Sequence, residues 1–396
     1  MTDRARTERP AGLGRGLAPL YAAGFLTAFG AHSVAATLGI LATDQGASLL
    51  SVGVLLAAYD AAEVVLKPVF GTLADRVGPR PVVLGGLAAF AVASAAFVLL
   101  NDPALLGPAR FAQGAAAAAF SPAASAMVGR LTDRRHRGRA FGGYGAFKSL
   151  GYTAGPLAGG ALIVLGGLRL LFMVLAVLAV MVAAWALLAV PTVRPLPRSR
   201  ATLAELKRRL TQPGFLRPTL ALAGSTAALA VGVGFLPLAG THAGLSPVVT
   251  GALVSLLGVC AIIVQPWAGR ARDRGRLRDT TGMAVGLASA AAGAALAAFS
   301  GFPLLLVPAT VGLGVGTALI TSVGFAHLAD HTPAEHLGQT MGSAEIGREF
   351  GDAGGPLLVG GIAAVGGLTA GFVGLAALLL AGATMINRTA PAPPNR

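Results

Sequence analysis

Residues 142–168 read GGYGAFKSLGYTAGPLAGGALIVLGGL, and residues 342–368 read GSAEIGREFGDAGGPLLVGGIAAVGGL. Gly142, Lys148, Gly151, Gly155-Pro156-Leu157, Gly160 and Gly166-Gly167-Leu168 of the first stretch recur 200 positions later. They return as Gly342, Arg348, Gly351, Gly355-Pro356-Leu357, Gly360 and Gly366-Gly367-Leu368. A second repeat has nearly the same offset: Pro68, Gly71 and Asp75-Arg76 return as Pro266, Gly269 and Asp273-Arg274, 198 positions on. Two copies of one unit, in parallel orientation, account for both offsets. The chain is therefore predicted to divide into residues 1–190 and 217–396, with a linker at 191–216.

What each half is made of follows from composition. Of 396 residues 55% are hydrophobic and only 12% charged, about half the charged fraction of a soluble domain. A mean hydropathy of +0.73 excludes disordered, fibrous and ordinary soluble classes. Spans of roughly 20 apolar residues, enough to cross about 30 Å of hydrocarbon, are predicted at 17–41, 49–70, 81–100, 104–129, 141–165, 169–190, 217–240, 248–269, 280–300, 302–326, 339–364 and 367–387. Helices satisfy their backbone internally, whereas an open sheet in lipid does not. The expected fold is thus an all-α membrane protein of twelve transmembrane helices in two pseudo-symmetric six-helix halves. Span 302–326 is interrupted near its start by Pro303 and Pro308.

The net charge of +14 and the pI near 11.4 invite a nucleic-acid reading. The location of the charge removes it. The N-terminus carries four arginines, the second–third connection Arg76 and Arg80, and the fourth–fifth connection five between Arg130 and Arg139. The linker and its flanks carry seven basic residues, the eighth–ninth connection five between Arg270 and Arg278, and the C-terminus Arg388 and Arg396. Twelve spans put these 25 of the 30 basic residues on one side and leave only Arg169 on the other. Basic residues collect on the cytoplasmic side, so both termini are expected there, in a multi-pass protein of the plasma membrane. No signal-peptide cleavage site is recognised before the first span, which is read as retained. In the linker, Thr202-Leu-Ala-Glu205 has the spacing of a capping box, and a short basic helix on the membrane surface is expected. The arginines are expected to touch anionic lipid headgroups.

Over nearly its whole length the sequence resembles the major facilitator superfamily of secondary transporters. Gly71-Thr-Leu73-Ala-Asp75-Arg76-Val-Gly78-Pro79-Arg80 is similar to that family's cytoplasmic loop signature, except for Pro79, where a basic residue is usual. The resemblance implies that Gly71, Asp75, Arg76, Gly78 and Arg80, with Asp273 and Arg274 of the second copy, gate the conformational change. In particular, Asp75 holds the inner side closed. Arg110-Phe-Ala-Gln113-Gly114 resembles the fourth-helix motif of the drug:proton antiporters. Gly151-Tyr-Thr-Ala-Gly155-Pro156-Leu-Ala-Gly159-Gly160 fits their fifth-helix pattern. By that resemblance Arg110 assists proton transfer, and Gly155-Pro156 bends and packs the fifth helix against leakage. A kink that serves packing alone is the alternative.

Ionisable residues at membrane depth are costly and mark function. Asp60, Glu63 and Lys67 share one face of the second span; Glu345, Arg348, Glu349 and Asp352 form one stripe on the eleventh. Desolvation favours a protonated carboxyl and a nearby cation favours the ionised form, so a carboxylate whose surroundings alternate can carry protons. Asp60, Glu63, Arg110, Glu345 and Glu349 are the proton-coupling candidates. The alternative is a set of purely structural ion pairs. Lys67, nearer the helix end, is expected to reach for the surface. His32, Phe29, Tyr59, Gln113, Lys148, Tyr152, Arg348 and Asp352 are the cavity-lining candidates, and the aromatic ones point to a lipophilic substrate.

No phosphate loop, dinucleotide fingerprint, nucleophile elbow or zinc-protease motif occurs in the sequence, so neither an enzyme nor a cofactor is expected. Cys260 is the only cysteine. His327, His331 and His336 with Asp330 and Glu335 have the composition of a metal site, but Thr332-Pro333 breaks the helix among them; no metal is expected. The predicted function is proton-coupled export of small lipophilic molecules by a monomer, with protons, substrate and membrane lipids as partners and no nucleic acid. Import, symport or uniport of a polar metabolite is the alternative.

Overall fold

In the computed structural model, residues 13–44, 49–99, 105–193, 208, 211–299 and 301–387 are described. The expected surface helix at Thr202–Glu205 lies outside them. Among the described residues there is no strand. The helices are α1 (Leu13–Asp44), α2 (Leu49–Val77), α3 (Pro79–Leu99), α4 (Leu106–Leu131), α5 (Arg137–Ala189), α6 (Pro213–His242), α7 (Pro247–Asp273), α8 (Asp279–Ala297), α9 (Leu306–His331) and α10 (Leu337–Asn387). Three short 3₁₀ turns lie among them: Arg134–His136, Pro303–Leu305 and Ala334–His336. Proline opens the 3₁₀ turn at Pro303, so α9 begins only at Leu306, four residues after the start of the predicted span.

Eight of the described helices are long and apolar enough to cross a membrane. Two of them are far longer than one crossing. α5 has 53 residues and α10 has 51, close to 80 Å if straight. Each is divided by its Gly-Gly pair. Gly167 has φ 69° and ψ −170°, and Gly367 φ 76° and ψ 171°, a positive-φ extended conformation open essentially to glycine alone. Beyond the turn the second arm folds back on the first: a Cβ on Gly371 would lie 2.7 Å from the Val359 carbonyl. The repeated Gly-Gly-Leu is thus a two-residue reversal between membrane-length arms. Gly78, φ 95°, performs a similar reversal as the single residue between α2 and α3.

Helices α1–α5 pack chiefly on one another, as do α6–α10. The two bundles meet where α2 crosses α10 and where α5 crosses α7. Outward-facing Val164, Leu188 and Val365 are 87%, 87% and 94% exposed, a surface suited to hydrocarbon rather than water. The repeated Gly-x-x-x-Gly-Pro stretch explains one close helix contact within each bundle. Gly151, Gly155 and Gly159 place α5 against Phe25–Ser33 of α1, while Gly351 and Gly355 place α10 against Ala223 and Ala227 of α6. Small residues allow that approach. Pro156 keeps helical torsions, and the non-helical ones inside α5 are at Gly166 and Gly167. The Gly-Pro segment therefore packs the helix, and the chain reverses at Gly166-Gly167, in the connection predicted between spans 141–165 and 169–190.

Candidate functional site

At the arginine-rich end each bundle caps a helix of the other. Asp75, in the last turn of α2, accepts hydrogen bonds from the amides of Gly338 and Gln339 at the start of α10, both at 2.8 Å. Asp273, in the last turn of α7, accepts from the amides of Gly138 and Arg139 at the start of α5, at 2.7 and 2.8 Å. Free amides and the positive end of a helix dipole make a helix N-terminus a strong partner for carboxylate. Here the cap comes from the opposite bundle. Glycine permits it: Gly71 lies against Gly338 and Gly269 against Gly138, so close that a Cβ on any of them would strike the facing backbone.

Around these latches the other gating candidates play lesser parts. Arg130 donates to Asp75 at 3.1 Å. Arg80 binds Thr192 and the Leu187 carbonyl, within its own bundle. Arg76 and Arg274 are exposed. A further bridge joins Arg137 of α5 to Asp330 of α9 at 3.0 Å. Arg272 also holds Asp330, at 2.6 Å, and binds Asp279 at 2.6 Å.

Deeper in the bundle, charges converge where α2 crosses α10. The Lys67 ammonium lies 2.9 Å from Glu63, 2.5 Å from Glu349 and 3.9 Å from Glu345. Glu345 in turn pairs with Lys148 at 3.2 Å and Arg348 at 3.3 Å. Lys67 is only 1% exposed. The expectation that it reaches for the surface is corrected, because three carboxylates hold it in place. The six groups number three cations and three anions, so the cluster is neutral overall, as burial requires. Asp60 and Asp352 stand apart. Both line the adjoining polar cavity with His32, Tyr59 and Tyr152. Asp60 and Asp352 are exposed there, and neither forms an ion pair with a described residue.

A larger cavity, about 630 Å³, adjoins this one on the side of the α5–α7 crossing. Leu157, Leu229, Val233 and Val254 make it apolar, and His32, Tyr152 and Asp352 are common to both cavities. His32 donates to or accepts nothing from a charged group in its nearest contacts: its Nδ1 meets the Ala28 carbonyl at 3.0 Å and its ring stands edge-on to Tyr152. Both cavities lie on the far side of the cluster from the two latches.

Three candidates sit elsewhere. Phe29 stacks on Phe25 and is buried in the hydrophobic core of the first bundle. Gln113 is fully buried, accepts from Arg110 at 2.6 Å and donates to Ser94 at 2.9 Å. Neither lines either cavity. Arg110 lies over the Tyr59 ring at 4.5 Å and forms no ion pair among the described residues. The expected histidine grouping is also rearranged. His327 stacks on His331, but its Nδ1 meets Asp279 at 2.8 Å rather than Asp330 or Glu335. Ligand atoms of Asp279, His327 and His331 come within 4.8 Å of one another. Arg272 binds that same Asp279, and its charge opposes a cation there.

One participant was not anticipated from the sequence. The Gln265 side-chain amide of α7 donates to Ser149 of α5 at 2.8 Å, and its backbone carbonyl accepts from Ser322. The 198-residue offset places Gln265 opposite Lys67 in the repeat, which was the available signal.

The sequence profile of the Major Facilitator Superfamily matches residues 20–278 and 219–396. The chain belongs to this superfamily and is a multi-pass membrane transporter. The human organic anion transporter MFSD10 (TETRAN) shares its fold, with a TM-score of 0.78 and 16% identity over 94% of this chain and 99% of that one. The puromycin resistance protein pur8 of Streptomyces alboniger is 37% identical over 148 residues, 37% of this chain and 29% of that protein. The quinolone resistance protein NorA of Staphylococcus aureus is 26% identical over 136 residues, 34% of this chain and 35% of NorA. A triacylglyceride transporter of Mycolicibacterium smegmatis is 34% identical over 109 residues, 28% of this chain and 20% of that protein. The matched stretches thus span about a third or less of these relatives.

Proposed function

We propose that this chain exports small lipophilic molecules across the plasma membrane in exchange for protons, by alternating access between residues 1–190 and 217–396. One observation carries the reading: beside Arg110, the membrane-depth charges comprise a neutral six-membered cluster and two further carboxylates, Asp60 and Asp352, at a cavity. Ions that neutralise one another have little reason to exchange protons with water. Asp60 and Asp352 lack an ion-pair partner among the described residues and come from opposite bundles; both line the polar cavity, and Asp352 also lines the apolar chamber. They are the proton carriers in this reading, in place of Glu63, Glu345 and Glu349. Protonation of Asp352 removes a charge from the chamber wall and protonation of Asp60 one from the adjoining polar cavity, and loading of a lipophilic substrate is linked to that change. Arg110, beneath Tyr59, adjusts the charge near Asp60 rather than carrying a proton.

With both termini cytoplasmic, the latched end faces the cytoplasm, and the arrangement is one closed on the inside. The names of the puromycin and quinolone resistance proteins support a drug-like substrate, and that of the triacylglyceride transporter supports a lipophilic one.

The test uses purified protein in proteoliposomes, with puromycin and a fluorescent quinolone as probes. Export driven by an imposed pH gradient is expected, with counterflow of unlabelled probe. Asp60→Asn combined with Asp352→Asn should abolish the dependence on the gradient while leaving counterflow measurable. Undiminished gradient-driven export in that double variant would sink the assignment of carriers.

A further inference from the structure

A groove of about 490 Å³ opens at the arginine-rich end, across the seam between the bundles. Its floor is apolar, made by Leu17 and Tyr21 of α1 and Pro266 of α7. Its rim is basic: Arg139 on α5 and Arg270 on α7, with His136 beside them. Both arginines are exposed, and neither forms an ion pair with a described residue. The depth of the rim is marked by two tryptophans near the same end. Trp185 and Trp267 are 46% and 56% exposed, one turn from the end of α5 and two turns from that of α7. Half-exposed tryptophans belong at the level of lipid headgroups.

We propose that this groove is a binding site for one anionic phospholipid of the adjacent leaflet. The phosphate lies between Arg139 and Arg270, and an acyl chain runs over Leu17 and Tyr21. Positive charge at headgroup depth attracts anionic lipid, and an apolar floor continuous with that charge distinguishes a diacyl lipid from a free phosphate. The site has a consequence for transport. Its two arginines come from different bundles, and the Arg139 amide is one of the two capped by Asp273. A lipid held by both therefore spans the seam that the latch closes. It binds best when the bundles meet, and by linkage it favours the closed arrangement.

The full-length protein in detergent is titrated with phosphatidylglycerol and monitored by native mass spectrometry and thermal unfolding. One phosphatidylglycerol should be retained more tightly than phosphatidylcholine of the same chains, and should raise the unfolding temperature. Arg139→Gln with Arg270→Gln should weaken that binding by about 20–30-fold, the loss expected for two leaflet-facing arginines. Arg135→Gln with Arg276→Gln removes as much exposed charge outside the groove and should leave the affinity within about threefold. Should the first double variant be unstable, either single variant alone should show a partial loss. Equal losses in the two double variants, or no loss in the first, would overturn the site. So would equal retention of phosphatidylcholine, or displacement of the lipid by glycerol 3-phosphate at equal concentration.

Discussion

The two crossings between the bundles share a backbone but differ in their chemistry. At one, α2 brings Asp60, Glu63 and Lys67 to Glu345, Arg348, Glu349 and Asp352 of α10. At the other, the repeat places Gly258, Ala261 and Gln265 of α7 against Gly145, Lys148, Ser149 and Tyr152 of α5. Both end in the same latch, an aspartate capping a helix across a glycine–glycine contact. Between the latch and the cavities, one seam is held by ion pairs and the other by the Gln265–Ser149 hydrogen bond. Closure at the arginine-rich end is thus duplicated, whereas charge is concentrated at one seam. The second seam, whose one charged member Lys148 turns to Glu345, leaves room for an apolar chamber. The proposed division of labour puts proton exchange beside α2–α10 and substrate beside α5–α7.

The largest effect should come from breaking the charged seam. Glu345→Gln leaves Lys67, Lys148 and Arg348 short of a counter-ion, and removing one partner from a buried ion cluster costs about 3–5 kcal/mol. Thermal unfolding of the purified variant reads this directly. A loss below about 1 kcal/mol, the scale of an exposed pair, would show that the cluster is hydrated rather than buried.

Next in size is the effect of the two uncompensated carboxylates on coupling. Asp60→Asn and Asp352→Asn, made singly, should each reduce gradient-driven export by at least about tenfold, equivalent to 1.4 kcal/mol. Stability should hardly change, since neither residue neutralises a partner. If Glu63→Gln spares stability and abolishes coupling instead, the roles of Asp60 and Glu63 are reversed.

The latches should respond alike. Asp75→Ala and Asp273→Ala each remove a cap worth about 0.5–2 kcal/mol, and each should open the arginine-rich end. In a Cys260→Ser background, labelling of a cysteine introduced behind the latches by a membrane-impermeant maleimide measures that opening. Asp75→Ala should open it further, because Arg130 loses its partner as well. The smallest effect belongs to the second seam. Gln265→Ala removes one buried hydrogen bond and should cost about 1 kcal/mol, with gradient dependence intact. A loss of coupling in that variant would erase the distinction between the seams.

Much of this was legible in the chain. The 200-residue repeat and the glycine at each positive-φ position carry local information: no other residue adopts φ near 70° cheaply, so Gly167 and Gly367 announce their turns. The loop signature located Asp75, and its copy located Asp273. The partner amides were not legible, because a backbone N–H is present at nearly every residue and only the approach of α2 to α10 selects Gly338 and Gln339. Lys67 was misplaced for a related reason. Its distance from the helix end favours the surface when one helix is considered alone; the carboxylates that keep it buried come from α2 itself and from a helix about 280 residues away.

By itself the sequence determined the membrane class, the repeat, the reversals and the inventory of charges at membrane depth. These depend on hydropathy, on backbone conformation and on residue identity, all of which are local. Tertiary structure alone decided which charges neutralise which. It divided eight acidic and basic groups at the first seam and its neighbour Lys148 into six that satisfy one another and two that face a cavity. Pairing falls off within a few ångströms, and those distances exist only once the two bundles have met.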